Sequence, residues 1–472
     1  MSDAAAPGLF DRAIRSITNV WRDMAASVGR DEDEGIAAQM RACLAGRGGE
    51  VSARNRAAKL AQTYLGLDVA GRTDFLRTLA TFDSDSEAVA KAYAAVGEAH
   101  DPAERAAATS ALRRALEPPR VRLLTQFTTI PDRVKFIVGL RGFLLSLTRG
   151  ANSPEPLLVA LESDLQSLLA SWFDMGFLEL ARIDWSSPAV LLEKLVGYEA
   201  VHEIRSWRDL KDRLDSDRRC YAFFHYRMPM EPLIFVEVAL VSGLASSVQR
   251  LLDTKAPVLD PKAADTAIFY SISNCQPGLA GISFGNSLIK RVVDLLSQEF
   301  RNLKVFATLS PVPRFRRWLD EKLASDDAAM LLTEEESSSL RVAAPIAGPA
   351  PETGAQALAA ILGYRGWWRD TAMLKAVEPV MIRLCARYLL LEGGGKRAPD
   401  SVAHFHLSNG ARVERINMLA DTSDKGLRES AGLMVNYLYD PAHIEENHEA
   451  YAGEGRRNAS TTVRRLARGW GG

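Results

Sequence analysis

The chain has 472 residues, and since a domain usually holds ~100–200 residues, two or three domains are expected. Its 58 Lys and Arg residues against 59 Asp and Glu residues give a formal net charge of −1, which argues against a general nucleic-acid binder because such proteins carry a basic excess. Hydrophobic residues make up 47% and charged residues 25% of the chain, the composition of an ordinary globular protein.

The cysteines and the apolar runs indicate the compartment. Cys43, Cys220, Cys275 and Cys385 are widely spaced and none belongs to a CxxC pair, which excludes a disulfide scaffold and a cysteine-rich zinc motif. The sequence contains no run of about 18 apolar residues that could cross a membrane, and residues 1–21 lack the apolar core of a secretory signal. We therefore expect a cytoplasmic protein that does not insert into a membrane.

The first third of the chain has a helical pattern. Apolar residues recur at helical spacing around 60–65 and 89–96, and longer apolar stripes follow at 134–147 and 157–173. We predict an all-helical bundle over residues 1–174. A bundle without clustered polar chemistry is more typical of a packing or oligomerisation module than of a catalytic one.

Beyond Trp185 the apolar runs become short and strand-like. The predicted elements, in chain order, are strands 220–226 and 233–241, strand 266–273, loop 274–285, helix 286–300 and strand 303–309. Turn residues between the first two strands predict an antiparallel hairpin. Residues 175–472 are therefore predicted to form a mixed α and β domain.

A second hairpin is predicted near the C-terminus. Strand-like runs at 402–407 and 411–419 flank Asn409-Gly410, and Asn-Gly between two such runs is a strong hairpin signal. His404 and His406 would then share one face of a strand. A His-x-His pair can ligate zinc, but no neighbouring acid or cysteine completes a set, so no metal is predicted. Either histidine could instead donate a proton, and the pattern does not choose between them.

The strand–loop–helix unit at 266–300 carries three glycines, Gly278, Gly281 and Gly285. Their backbone amides and the start of the following helix could bind a pyrophosphate, although an ordinary βα connection would need glycines too. The spacing is not G-x-G-x-x-G and lacks the P-loop Lys-Ser, so a Rossmann or nucleotide-hydrolysing site is not expected.

Two serines are candidate site residues. Ser283 lies in a literal G-x-S-x-G, but the apolar strand ends near Ser273, ten residues earlier, whereas a nucleophile elbow needs its serine on the turn itself. Ser310 follows the strand at 303–309. It could be a simple turn former, or a parallel strand could deliver it to the same cleft as the glycine loop.

Several segments resemble the malonyl-CoA decarboxylase family. They are SSPAVLLEKLVGYEAVHEIRSW (186–207), TAIFYSISNCQPGLAGISFGNSLIKRVV (266–293), LSPVPRFRRWL (309–319), MIRLCARYLL (381–390), AHFHLSNGARVERINMLAD (403–421) and GLMVNYLY (432–439). These segments occur in the family's order and extend over nearly all of 186–439. The helical first third is similar by position and character rather than by motif.

The resemblance implies a helical oligomerisation domain at 1–174, a catalytic domain of the GNAT acyltransferase type at 175–472, and a homo-oligomer. It implies malonyl-CoA as substrate, with no metal or organic cofactor. The family's catalytic serine, histidine and tyrosine correspond to Ser310, His406 and Tyr439. The loop that holds the CoA pyrophosphate corresponds to Ala280, Gly281, Ile282, Ser283, Phe284, Gly285 and Asn286. Family members can carry a glutamate where this chain has Ser283.

The implied reaction converts malonyl-CoA to acetyl-CoA and carbon dioxide through an enolate. In this interpretation His406 is the proton donor, and Ser310 orients the malonyl group and relays charge or protons with the histidine. Two other functions stay open at this point. One is acyl transfer from an acyl-CoA to an amine on the same fold, and the other is an acyl-CoA sensor without catalysis.

Overall fold

The computed structural model describes residues 35–45, 50–127, 133–149, 155–173, 175–282, 287–344, 350–395 and 397–468. The chain divides into two compact units. The first comprises Met1–Glu179, Phe224–Leu233 and Asn274–Phe284, and the second comprises Leu180–Phe223, Ile234–Ser273 and Gly285–Gly472. The domain limits 1–174 and 175–472 stay a proposal.

The first unit contains the helices that the sequence pattern predicts. They are α1 (Ile36–Leu44), α2 (Glu50–Gly66), α3 (Val69–Ala80), α4 (Ser86–Glu98), α5 (Pro102–Leu116), α6 (Pro119–Gln126), α7 (Arg133–Thr148) and α8 (Pro156–Trp172). Asp68, Asp85 and Asp101 begin α3, α4 and α5 by accepting hydrogen bonds from the first backbone N–H groups. Apolar side chains such as Phe75 and Leu76 are completely buried, because the stripes of neighbouring helices face each other.

A sheet forms the centre of the second unit. Its strands are β1 (Leu178–Ile183), β2 (Arg218–His225), β3 (Ile234–Val241), β4 (Thr266–Asn274), β5 (Val305–Thr308), β6 (Ser310–Pro311), β7 (Arg412–Asn417) and β8 (Met434–Leu438). In the described residues the order is β1-β2-β3-β4-β5-β8-β6, with β7 paired to β8. The predicted hairpin of β2 and β3 is antiparallel, while β4 and β5 are parallel. The mixed α and β fold class is confirmed.

Helices complete the second unit. They are α9 (Ala189–Tyr198), α10 (Trp207–Arg213), α11 (Val248–Leu251), α12 (Ser287–Glu299), α13 (Phe315–Leu323), α14 (Glu334–Ala343), α15 (Gly354–Gly363), α16 (Thr371–Leu390), α17 (Ser401–Ser408), α18 (Asp424–Ser430), α19 (Ile444–Glu454) and α20 (Thr461–Arg468). Among the helices in the described ranges, none has the length and apolar character to span a bilayer.

The predicted second hairpin is wrong, because its first strand is the helix α17. Asp400 caps the start of this helix by accepting hydrogen bonds from two of its backbone N–H groups. Asn409 ends it, and Gly410 follows with φ +82°. A Cβ at residue 410 would lie 2.1 Å from the Ile444 carbonyl oxygen. The Asn-Gly pair is therefore the C-terminal stop of a helix, where a left-handed glycine is common, before β7 begins.

Candidate active site

Ser310 lies where two parallel strands separate. β4 and β5 stay in register up to Phe269 and Thr308, and the backbone N–H of Leu309 donates to the Phe269 carbonyl at 3.0 Å. The next residue, Ser310, pairs instead with Val435 on β8. The chain thus turns away from β4 at the serine, which places a buried hydroxyl at the opening between the strands. The parallel neighbour that the sequence analysis predicted is present.

His406 joins Ser310 to Tyr439. The histidine lies in α17, 96 residues from the serine, and its Nε2 is 2.9 Å from Ser310 Oγ. Its Nδ1 is 2.8 Å from the Tyr439 hydroxyl. His406 is 2% exposed and Tyr439 is 1% exposed. The three residues predicted to be catalytic are therefore brought together in one buried, hydrogen-bonded chain.

Burial determines the electrostatics of the three hydrogen-bonded side chains. The ring of Tyr437 is stacked on the His406 ring, with centroids 4.5 Å apart and planes 24° from parallel. Burial lowers the pKa of His406 to about 3, because the imidazolium would be far from water. Burial likewise raises the pKa of Tyr439 well above its usual value. At neutral pH the site therefore holds a neutral imidazole and a protonated phenol.

Thr308 is hydrogen-bonded to Ser310. The sequence analysis did not identify this residue. Ser310 Oγ donates to Thr308 Oγ1 at 2.9 Å, and that oxygen also accepts the backbone N–H of Tyr437 at 3.1 Å. The threonine hydroxyl donates in turn to the Val435 carbonyl at 3.5 Å. The pattern offers one signal for this residue: a threonine in an apolar strand, two positions before the site serine, shares the serine's face.

Asp400 was also missed, and it links the two chain segments that carry the site. One carboxylate oxygen accepts the backbone N–H groups of Val402 and Ala403 at 2.9 and 3.1 Å, at the start of the His406 helix. The other accepts the backbone N–H of Arg314 at 3.3 Å, in the turn after Ser310. Asp400 is completely buried, and this burial raises its pKa.

His404 does not belong to this cluster. Residues two apart on a helix lie about 200° apart around its axis, so the expectation that both histidines share one face is wrong. His404 Nδ1 contacts the Tyr451 hydroxyl at 2.8 Å instead. In the described ranges, no group of three His, Cys, Asp or Glu side chains could hold a metal ion.

The glycine loop is described up to Ile282. Ala280, Gly281 and Ile282 follow a short 3₁₀ turn, Pro277–Leu279, and Gly281 has φ +79°, which favours glycine. The other predicted CoA contacts, Ser283, Phe284, Gly285 and Asn286, lie outside the described residues. The G-x-S-x-G interpretation falls on the same segment, and the loop between strand β4 and Ser283 is long, as the sequence analysis expected.

Comparisons with known proteins agree with one another. The profile of the malonyl-CoA decarboxylase C-terminal domain matches residues 176–470, and that of the N-terminal domain matches 82–173. The chain is 36% identical over 423 residues to proteins named "Malonyl-CoA decarboxylase, mitochondrial" from Anser anser anser and Mus musculus. The alignments cover 87% of this chain and 83% and 85% of those proteins.

Solved structures give the same result. A malonyl-CoA decarboxylase crystal structure from Rhodopseudomonas palustris is 39% identical, with a TM-score of 0.81. It covers 91% of this chain and 98% of its own. The one from Agrobacterium vitis is also 39% identical, with a TM-score of 0.80, and covers 92% and 99%.

Proposed function

The chain belongs to the malonyl-CoA decarboxylase family, and we propose that it converts malonyl-CoA to acetyl-CoA and carbon dioxide with Ser310, His406 and Tyr439 as its catalytic residues. The observation that carries the proposal is the buried hydrogen-bonded chain joining these side chains. Loss of carbon dioxide leaves an enolate on the thioester, which must be stabilised by donors and protonated at C2. The proposed reaction needs no metal and no organic cofactor. We also propose that it serves fatty acid metabolism.

The hydrogen bonds that join Tyr439, His406 and Ser310 run in one direction. Among the described residues, the acceptor for the Tyr439 hydroxyl is His406 Nδ1, and the phenol is protonated because burial raises its pKa. Tyr439 therefore donates to Nδ1, and the ring carries its own proton on Nε2, which donates to Ser310. The reverse tautomer would leave the buried Tyr439 proton unpaired, at a cost of about 1–3 kcal/mol.

This direction suits protonation of an enolate. With substrate bound, the Ser310 hydroxyl turns from Thr308 to the malonyl group while its oxygen still accepts from Nε2. The carbon–carbon bond to the carboxylate breaks, and its electron pair forms the enolate. Ser310 then protonates C2, in place of His406, which the sequence analysis had made the direct donor. Nε2 reprotonates Ser310, and Tyr439 reprotonates the ring at Nδ1. The phenolate takes one proton from solvent after product leaves, which balances the reaction.

The same direction makes Ser310 a poor nucleophile. A serine is activated by a base that accepts its proton, whereas Nε2 of His406 is the donor here. His406 also stays neutral across the physiological range, since burial lowers its pKa to about 3. It therefore acts as a relay within the proton path, and turnover does not require an imidazolium.

We assign the CoA portion to the loop from Ala280 to Asn286. The positive φ of Gly281 lets the backbone turn toward a ligand, and α12 begins at Ser287, so its free N–H groups favour an anion. Binding of CoA would supply the energy that holds the short malonyl group in a reactive position.

Kinetics of two variants test the catalytic assignment. Ser310→Ala and His406→Asn should each lower kcat by about 10²–10⁴-fold. The matched control is His404→Asn, which lies on the same helix but contacts Tyr451 and should keep kcat. An unchanged kcat with a raised KM in the first two variants would make both residues binding groups and end this assignment.

Product identity separates the other functions. A product that depends on an added amine would indicate acyl transfer, and saturable malonyl-CoA binding without turnover would indicate a sensor. Free CoA thiol that disappears in Ser283→Ala would indicate a hydrolase at the G-x-S-x-G segment.

We also propose that the chain forms a homo-oligomer through its helical unit. Helices α4 and α5 contain no buried residue, and Tyr93 and Leu116 are 71% and 52% exposed. A helix pair without a fully buried side chain offers surface for a second copy. Analytical ultracentrifugation of Tyr93→Lys tests this, because the variant should dissociate where the parent does not.

The cytoplasm stays a proposal for the compartment. Two relatives carry names that place them in mitochondria, so family membership does not decide it. Cys43, Cys220, Cys275 and Cys385 are buried thiols, as is usual in a reducing compartment. Cell fractionation with a specific antibody would test the assignment.

A further inference from the structure

A buried arginine of the helical unit holds the glycine loop. Arg141 on α7 is 1% exposed, and its Nη1 donates to the Gly278 carbonyl at 2.6 Å. Its Nε and Nη2 donate to one carboxylate oxygen of Glu162 on α8, at 3.1 and 2.6 Å. The carboxylate balances the buried charge, and the remaining donor is directed at the loop backbone.

The loop backbone lies directly on α7. A Cβ at Gly278 would be 1.8 Å from the Val138 carbonyl oxygen and 3.0 Å from the Gly142 nitrogen, whereas a Cβ at Gly142 would approach Gly278 only to 3.3 Å. Residue 278 therefore admits only glycine without displacement of the loop. The requirement for Gly278 comes from contact with a helix, whereas the sequence analysis had weighed ligand approach against an ordinary βα connection.

A second helix holds the next turn of the loop. Gln166, one turn after Glu162 on α8, donates its Nε2–H to the Gly281 carbonyl at 3.2 Å. Side chains four apart on a helix lie on one face, so one face of α8 supports Arg141 and Gly281 together. Two loop carbonyls, at residues 278 and 281, are thus bonded to side chains of the helical unit.

We infer that α7 and α8 fix the backbone of residues 278–282, which includes the start of the proposed CoA loop, and that Arg141 is a positioning residue for the nucleotide end of the substrate. The inference rests on the proposed function, because it takes this end of the loop as part of the pyrophosphate site. Backbone amides bind a pyrophosphate well only when their orientation is set beforehand, since ordering a loop on binding costs affinity. The helical unit therefore serves substrate binding in addition to subunit association.

The test compares malonyl-CoA with malonyl-pantetheine, which lacks the pyrophosphate and the nucleotide. Arg141→Lys keeps the charge but loses the planar fork that reaches both Gly278 and Glu162. KM for malonyl-CoA should rise by about 10-fold or more with little change in kcat. The kcat/KM for malonyl-pantetheine should stay at the parent value.

The matched control is Arg120→Lys. Arg120 is 2% exposed; its partners among the described residues are Asp164, the Ala80 carbonyl and Asp83, and none of them belongs to the loop. It should lower stability by a similar amount and leave the ratio of the two substrates unchanged. If Arg141→Lys does not fold, Gln166→Ala replaces it as the test, because Gln166 is only half-buried. This variant should shift the ratio of kcat/KM for the two substrates in the same direction, by a smaller factor.

An equal loss of kcat/KM for both substrates, or an unchanged KM for malonyl-CoA, would overturn the inference. A parent enzyme that turns over neither substrate would contradict the proposed function instead, so the two failures are distinguishable.

Discussion

Asp400→Asn separates the two tasks of a completely buried carboxylate. Asparagine caps helices about as well as aspartate, so the bonds to Val402 and Ala403 at the start of α17 are kept. The other oxygen becomes an amide NH₂, which cannot accept the Arg314 backbone N–H that lies 3.3 Å away. The substitution therefore removes the link between the Ser310 turn and the His406 helix while the helix keeps its cap.

The cost follows from that single contact. Losing a hydrogen bond to a charged group, with a buried N–H left unpaired, costs about 1–3 kcal/mol of unfolding free energy. A shift of the serine by about 1 Å relative to the histidine lowers the rate by as much as about 10²-fold. We therefore expect kcat to fall by about 10- to 100-fold, with little change in KM for malonyl-CoA.

Urea unfolding and steady-state kinetics check both parts. The matched control is Asp370→Asn, since Asp370 caps α16 through the N–H groups of Ala372 and Met373 but is exposed. It should change stability by less than about 0.5 kcal/mol and keep kcat. If Asp400→Asn loses stability as expected but keeps the parent kcat, Asp400 is only a helix cap and the positioning argument is refuted.

Two further predictions concern the titrating groups of the site. Because burial lowers the pKa of folded His406 from 6.5 to about 3, the unfolded chain binds the proton first, so stability is complete above pH 6.5 and falls as the pH drops toward 3. At pH 5 this loss is about 2 kcal/mol. Urea unfolding should show that the parent's free energy of unfolding, relative to that of His406→Asn, falls by about that amount between pH 7.5 and 5. A difference that stays constant with pH would contradict the prediction. Tyr439→Phe removes the donor to Nδ1, so kcat should fall by about 10²-fold. In this variant ¹⁵N NMR should show the His406 proton shared between both ring nitrogens. A proton that stays on Nε2 would show that Tyr439 does not set the tautomer.

The strands that deliver Ser310 could be predicted because their signals are local. Short apolar runs bounded by turn residues gave β4 and β5 nearly as observed, at Thr266–Asn274 and Val305–Thr308. The helix between them follows from apolar residues at helical spacing. The site serine was predicted to follow this strand because Pro311 and Pro313 come after it, and the structure places it two residues after β5, in the short strand β6 with Pro311.

The His406 segment could not be assigned from local signals. Its aromatic and β-branched residues and the Asn-Gly pair favour a hairpin, yet Asp400 caps a helix there. Asp400 is also bonded to Arg314, 86 residues away in the chain, and no local pattern shows that contact. The choice between His404 and His406 depended on this, and in the sequence it came from family resemblance alone.

The supporting residues depend on tertiary register. Thr308 contacts β8 residues 127 and 129 positions away, and Tyr437 covers His406 only because β8 lies beside β5. Periodicity places a residue on a face, but it does not say which distant strand completes that face.

The most direct test of the central claim is product analysis in heavy water. Purified protein and malonyl-CoA are mixed, and carbon dioxide, acetyl-CoA and free thiol are followed together by gas analysis and mass spectrometry. The proposed chemistry gives equal amounts of carbon dioxide and acetyl-CoA, one deuterium in each acetyl group, and no thiol, with turnover lowered by about 10²–10⁴-fold in Ser310→Ala. Full turnover in that variant, or free thiol in place of carbon dioxide, would contradict the account.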